Sequence, residues 1–161
     1  MKSMRRVSWI ALCFTMLAVL PAPAAEKAVN LSLFTPVSLV KAEDSVSAVR
    51  LSLIYGRNAS VGVIDLGLVN HTTTLSRGLQ MGTVNYTEGN VSGLQIAALN
   101  INKGTTKGLS WGGVNYANNA GGVQIALINY ARTLDGFQLG GINIIKEGGF
   151  LPVCIIANWS K

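Results

Sequence analysis

The chain is poor in the groups that carry chemistry. Its 161 residues include two cysteines and one histidine, too few for a zinc site built from several such ligands. One cysteine, Cys13, falls in an N-terminal leader. Cys154 is then alone, and a disulfide framework within one chain is excluded. Its setting, Val153-Cys154-Ile155-Ile156, reads as a buried, chemically idle thiol. The seven acids are scattered, with Glu43-Asp44 beside Lys41 the one adjacent pair. Asp65, Glu88, Asp135 and Glu147 therefore read as solvated turn residues, and no convergent set of titratable groups points to an enzyme. The glycines form no Gly-x4-Gly-Lys-Ser/Thr phosphate loop. No catalytic residue, cofactor or metal ligand is expected.

Long hydrophobic runs are also missing. The longest, Val7 to Leu20, is shorter than the ~20 residues that a helical membrane span needs. Lys2, Arg5 and Arg6 precede it and Ala22-Pro23-Ala24 follows, the pattern of a secretory signal peptide over residues 1–24. The mature chain is expected to begin near Ala25. Leu12 stands before Cys13 where a lipidation site would have a small residue, so no lipid anchor is expected. The leader also carries much of the charge. Thirteen Lys and Arg against seven acids give +6; without Lys2, Arg5 and Arg6, ten cations face seven acids, a balance of +3. Lys27, Arg50, Arg57, Lys103, Lys107 and Arg132 are spread along the chain and read as surface charge. No nucleic-acid partner is expected.

What the sequence does have is a phrase that recurs from Val63 onward. VIDLGLVNH at Val63 is followed by GLQMGTVNY at Gly78, GLQIAALNI at Gly93, GLSWGGVNY at Gly108, GVQIALINY at Gly122 and GFQLGGINI at Gly136. Six copies of 14 to 15 residues thus occupy residues 63–147, a period that signals a repeat architecture. With the opening residue as position 0, Asn holds position 7 in every copy: Asn70, Asn85, Asn100, Asn115, Asn129 and Asn143. Position 2 is Gln80, Gln95, Gln124 or Gln138, with Asp65 and Ser110 as exceptions. Apolar residues hold positions 1, 3, 6 and 8, and a small residue stands at position 4.

The apolar parity flips across that small residue. A bend at Gly67, Gly82, Ala97, Gly112, Ala126 or Gly140 would return both apolar pairs to one interior, with Gln and Asn outside or at turns. A unit so short cannot bury its own apolar face, so copies must stack. Parallel stacking advances about 4.8 Å per strand and would align equivalent Asn and Gln residues in ladders. The expected fold is therefore all-β, a β-solenoid. The rival is an antiparallel meander or closed β-barrel, in which each copy is one unbroken strand of membrane-spanning length. A barrel should show a doubled period, and the sequence shows a single one.

Residues 25–62 read as N-terminal lead-in strands and cap. Thr35-Pro36 interrupts the first strand and marks it as an edge. Val49, Leu51, Leu53 and Tyr55 alternate as a half-buried strand. Residues 148–161 read as a C-terminal capping strand, with Pro152 at its start and Asn158 keeping the phase of the repeat. His71 reads as an array-end residue, and Trp111 and Phe137 as interior packing. Asn-x-Ser/Thr triplets at Asn30, Asn58, Asn70, Asn85, Asn90 and Asn158 read as coincidence in a repeat that needs Asn structurally.

The Gly-x-Gln-x-Gly-x-x-Asn phrase, preceded by VRLSLIYGRN at Val49 and followed by GGFLPV and NWS near the end, resembles the bacterial surface-repeat proteins of leptospiral type. The resemblance spans essentially the whole mature chain and implies export and repeat form, with no assigned activity. Gln80 to Asn85 and Gln138 to Asn143 are also loosely similar to curli repeats, which keeps self-association on the list. The expected function is a non-enzymatic exported repeat protein of the bacterial envelope, at the cell surface, outer membrane or periplasm, with a structural or adhesion-like role toward an envelope partner. The alternatives are an outer-membrane barrel or pore component, with outer-membrane association, and a self-assembling matrix subunit.

Overall fold

The structure, a computed structural model, describes residues 25–161; the signal peptide expected over residues 1–24 lies outside the described residues. The chain forms β1 (Glu26–Phe34), β2 (Val37–Ser38), β3 (Ser45–Val61), β4 (Ile64–Thr87), β5 (Asn90–Glu147) and β6 (Val153–Trp159). They hydrogen-bond in the order β2-β1-β3-β4-β5-β6. The pairs β1/β3, β3/β4 and β4/β5 are all parallel. In β4/β5, Gly78 lies on Gly93, Gln80 on Gln95 and Asn85 on Asn100, with no register shift from Leu75 to Thr87. Residues one period apart are thus neighbours up the stack, and the fold is an all-β solenoid of parallel coils. Parallel pairing of successive copies excludes the meander and the barrel, whose consecutive strands must alternate in direction.

The stack begins earlier than the repeat phrase. Arg50 pairs with Asp65 and Gly56 with Asn70, so β3 is already a coil beneath the first copy, and Asn30 pairs with Arg50 one level lower. The far end is closed in the opposite sense. β6 runs antiparallel to the last coil, which puts Asn158 across from Gln138, although its spacing in sequence matches Asn143. Buried Asn158 there donates its amide to Leu151 O at 2.8 Å and holds the cap together.

The direction of the coils' side chains is the reverse of the one expected. Gln80, Gln95, Gln124 and Gln138 are buried, as are Asn70, Asn85, Asn100, Asn115, Asn129 and Asn143. Met81, Trp111 and Leu139 at position 3 are exposed, together with Ile128 and Ile142 at position 6. The two apolar sets do share one side, as a bend requires, but that side is the exterior. The same inversion holds in β3, where Arg50 and Ser52 are buried while Leu51 and Leu53 are exposed. Trp111, expected inside, is 56 % exposed and Phe137 37 %. The physical reason is register: stacking puts each amide directly on its equivalent, so polar side chains satisfy one another inside and lose the usual penalty for burial. Buried apolar residues are mostly small: Ala97 and Ala126 at position 4, and, in the segments between the phrases, a cluster of Ala117, Ala120, Ala131, Leu134 and Ile145.

The glycines fall into two classes. Those at position 0 carry positive φ, 140° at Gly93 and 127° at Gly108, a conformation costly for any residue with a Cβ. A Cβ on Gly108 would also lie 2.1 Å from Gly93 O in the coil below. The sharp conformational requirement is therefore at position 0, four residues before the expected bend glycine. Position 4 lacks the positive φ and needs small size instead: a Cβ on Gly112 would stand 2.0 Å from Ala97 O and 3.0 Å from the Asn100 amide nitrogen. Gly108→Ala is expected to lower stability by roughly 1–3 kcal/mol, read as a shift of the denaturant midpoint.

Candidate interaction surface

Two ladders run through the interior. In the first, each Asn donates upward: Asn70 Nδ2 to Asn85 Oδ1, Asn85 to Asn100, Asn100 to Asn115, Asn115 to Asn129 and Asn129 to Asn143, each at 2.9 Å. The same nitrogens reach the position-3 carbonyl of the next coil, as Asn70 does to Met81 O at 2.8 Å and Asn129 to Leu139 O at 3.0 Å. In the second, Gln side chains donate downward, Gln95 Nε2 to Gln80 Oε1 and Gln138 Nε2 to Gln124 Oε1, both at 2.7 Å. Gln80 Nε2 ends the lower run on Asp65 Oδ2 at 2.9 Å. All ten ladder residues singled out in the sequence are thus brought into two interior rows, where the sequence reading placed them outside or at turns.

Asp65 is not a solvated turn residue, and Arg50 is not surface charge. Both are fully buried, and the guanidinium grips the carboxylate with two bonds, Nε to Oδ1 at 2.7 Å and Nη2 to Oδ2 at 2.6 Å. Arg50 Nη1 also donates to His71 O at 2.9 Å. The signal for this pair was present: Arg50 and Asp65 stand one 15-residue period apart, and their charges are opposite.

At position 8, His71 bridges Tyr55 Oη, 2.7 Å from Nδ1, and Glu88 Oε1, 2.7 Å from Nε2. Burial pushes the Tyr55 hydroxyl above its ordinary value, against the lowering pull of Arg57 and Arg50 and with a small raising contribution from Glu88. The row continues as Tyr86, edge-on to His71, and as Tyr116 stacked on Tyr130 at 4.9 Å between centroids. Cys154 is half-buried and free. The pentapeptide Gly108-Leu109-Ser110-Trp111-Gly112, which the sequence reading overlooked, has the spacing of a nucleophile elbow. Its serine is buried in the Gln row with Oγ 3.4 Å from Gln95 Oε1, so it lacks the exposed strand-to-helix setting that motif requires. Among the described residues no three His, Cys, Asp or Glu side chains cluster.

The exterior is the feature that invites a partner. From Gly78 to Tyr86, Gly93 to Ile101, Gly108 to Tyr116, Gly122 to Tyr130 and Gly136 to Ile144 there is no charged residue. All charges of these coils fall in the segments between, at Glu88, Lys103, Lys107, Arg132, Asp135, Lys146 and Glu147. Leu127 is 73 % exposed. Toward β1 the same apolar exterior deepens into a groove of about 1010 Å³ lined by leucines such as Leu31, Leu33, Leu51, Leu53 and Leu66. Exposed apolar area on this scale marks interaction sites. No helix among the described residues is long and apolar enough to cross a membrane, which says nothing of crossing by strands. No protein-family model, curated protein or solved structure matches the chain.

Proposed function

We propose that this chain is a non-enzymatic, exported repeat protein of a bacterial envelope, whose rod serves a structural or adhesion-like binding role of the kind its surface-repeat resemblance implies. The observation that carries the reading is the inverted section of the rod: the polar groups are consumed by one another inside, and an uncharged apolar exterior is left for contact. Catalysis needs polar groups free to meet a substrate. Here the ladder amides, Arg50, Asp65 and Ser110 are committed to each other.

Export is tested by expressing the full chain in a bacterial host and determining the mass and N-terminus of the product. The expected product begins at Ala25 and leaves the cytoplasm. An intact chain retained in the cytosol overturns the reading.

A further inference from the structure

We infer that the apolar exterior of the rod docks lengthwise on a lipid surface carrying anionic headgroups. This deepens the proposed envelope role by naming the partner's chemistry, and it rests on that role for access to a membrane.

Four observations converge on lipid. The strands bond to the coils above and below them, so the flanks of the rod present side chains and no unpaired strand edge. That condition is the one an apolar phase imposes on any backbone placed against it. The exposed surface is also zoned. Positions 0 to 8 of the five glycine-led copies are free of charge, and two strongly exposed apolar side chains, Leu53 at 65 % and Leu127 at 73 %, lie in different coils along the rod.

The third observation is the row at the boundary of this zone. Tyr86, Tyr116 and Tyr130 stand at position 8, between the apolar exterior and the charged segments. Tyr116 Oη donates to Asn118 Oδ1 on the polar side at 3.2 Å. Half-buried tyrosines with an apolar body and a wet hydroxyl are the side chains that collect at membrane interfaces. Fourth, the bordering segments favour cations. Arg77, Lys103, Lys107, Arg132 and Lys146 face three acids, of which Glu88 is held by His71 and Glu147 by Arg132. The residual positive charge complements anionic headgroups. A second copy of the chain brings the same cations against its own and offers no such complement.

The test uses a local reporter. Trp111 is on the exterior itself, and Trp9→Phe with Trp159→Phe leaves it as the sole tryptophan. The purified chain is mixed with vesicles of phosphatidylcholine alone or with phosphatidylglycerol added, and Trp111 emission and vesicle flotation are recorded. The expected result is a blue shift and flotation with the anionic vesicles, both reduced by high salt. Leu127→Asp and, separately, Leu53→Asp should weaken partitioning roughly tenfold or more. Both sites are exposed, and unchanged circular dichroism certifies the fold.

An unshifted Trp111 with anionic vesicles overturns the inference, as does equal binding to both compositions. A blue shift that depends only on protein concentration, with a dimer in sedimentation, overturns it in favour of a second copy. Because Trp111 reports its own surroundings whether or not the leader has been removed, failure here is separate from failure of export.

Discussion

Arg50→Met is expected to destabilise the fold by about 3–5 kcal/mol, since it leaves a buried carboxylate without its cation. The Asp65 side chain is fully buried, and its partners besides Arg50 include the Gln80 amide, which cannot neutralise it. The pair also joins two coils: the Arg50 guanidinium reaches His71 O and Thr72 Oγ1 on the first copy of the array. The double variant Arg50→Met with Asp65→Leu should recover most of the loss, because replacing both members of a buried ion pair by apolar residues of similar volume is often close to neutral. Chemical denaturation of the wild type, both single variants and the double variant gives the coupling directly. If the double variant were as unstable as the sum of the singles, the ion pair would not be the cause.

Asn100→Ala is the second large effect. The side chain accepts from Asn85 and donates to Asn115 and to Trp111 O, so its removal leaves the buried Asn115 Oδ1 without its donor. An orphaned buried polar group costs about 1–3 kcal/mol, and the space vacated adds more, for a total of roughly 3–4 kcal/mol. A change at an exposed apolar position, such as Leu127→Ala, should alter stability by less than about 0.5 kcal/mol. That contrast, read in one set of urea melts, distinguishes a polar interior from an apolar one. Equal losses at both positions, or a larger loss at Leu127, would contradict the inverted section.

Period and stacking were legible because they depend only on recurrence: Asn at every position 7 and Gln at most positions 2 required an axis along which equivalents meet. The inside and outside of the coil were not legible, since a hydropathy argument sends Met81 and Trp111 inward and Gln80 and Asn85 to water. That argument prices each side chain as if it were alone. In a parallel stack a carboxamide brings its own donor and acceptor to the next one, and the usual ranking is reversed. Arg50 was misjudged for the same reason, as its partner is one period away and not nearby in sequence. Ser110 illustrates the converse: it breaks the Gln pattern in sequence, and only the ladder shows that its small hydroxyl occupies a Gln place, with Oγ 3.4 Å from Gln95 Oε1. The cap was half legible, because Pro152 announced an end, whereas the phase of Asn158 gave no sign that the strand turns back.

The two ladders point in opposite senses along the rod. Side-chain donors of the Asn row face the C-terminal end and those of the Gln row face the N-terminal end. Their unpaired acceptors accordingly lie at opposite extremities, Asn70 Oδ1 low in the stack and Gln138 Oε1 near its top. Every added coil would contribute two amide dipoles that largely cancel, so lengthening builds up no axial field from the side chains. The cost of one more copy is then independent of how many precede it. Gene duplication can treat such a rod as a ruler, adding graduations of about 4.8 Å while its cross-section and its two end pieces stay the same.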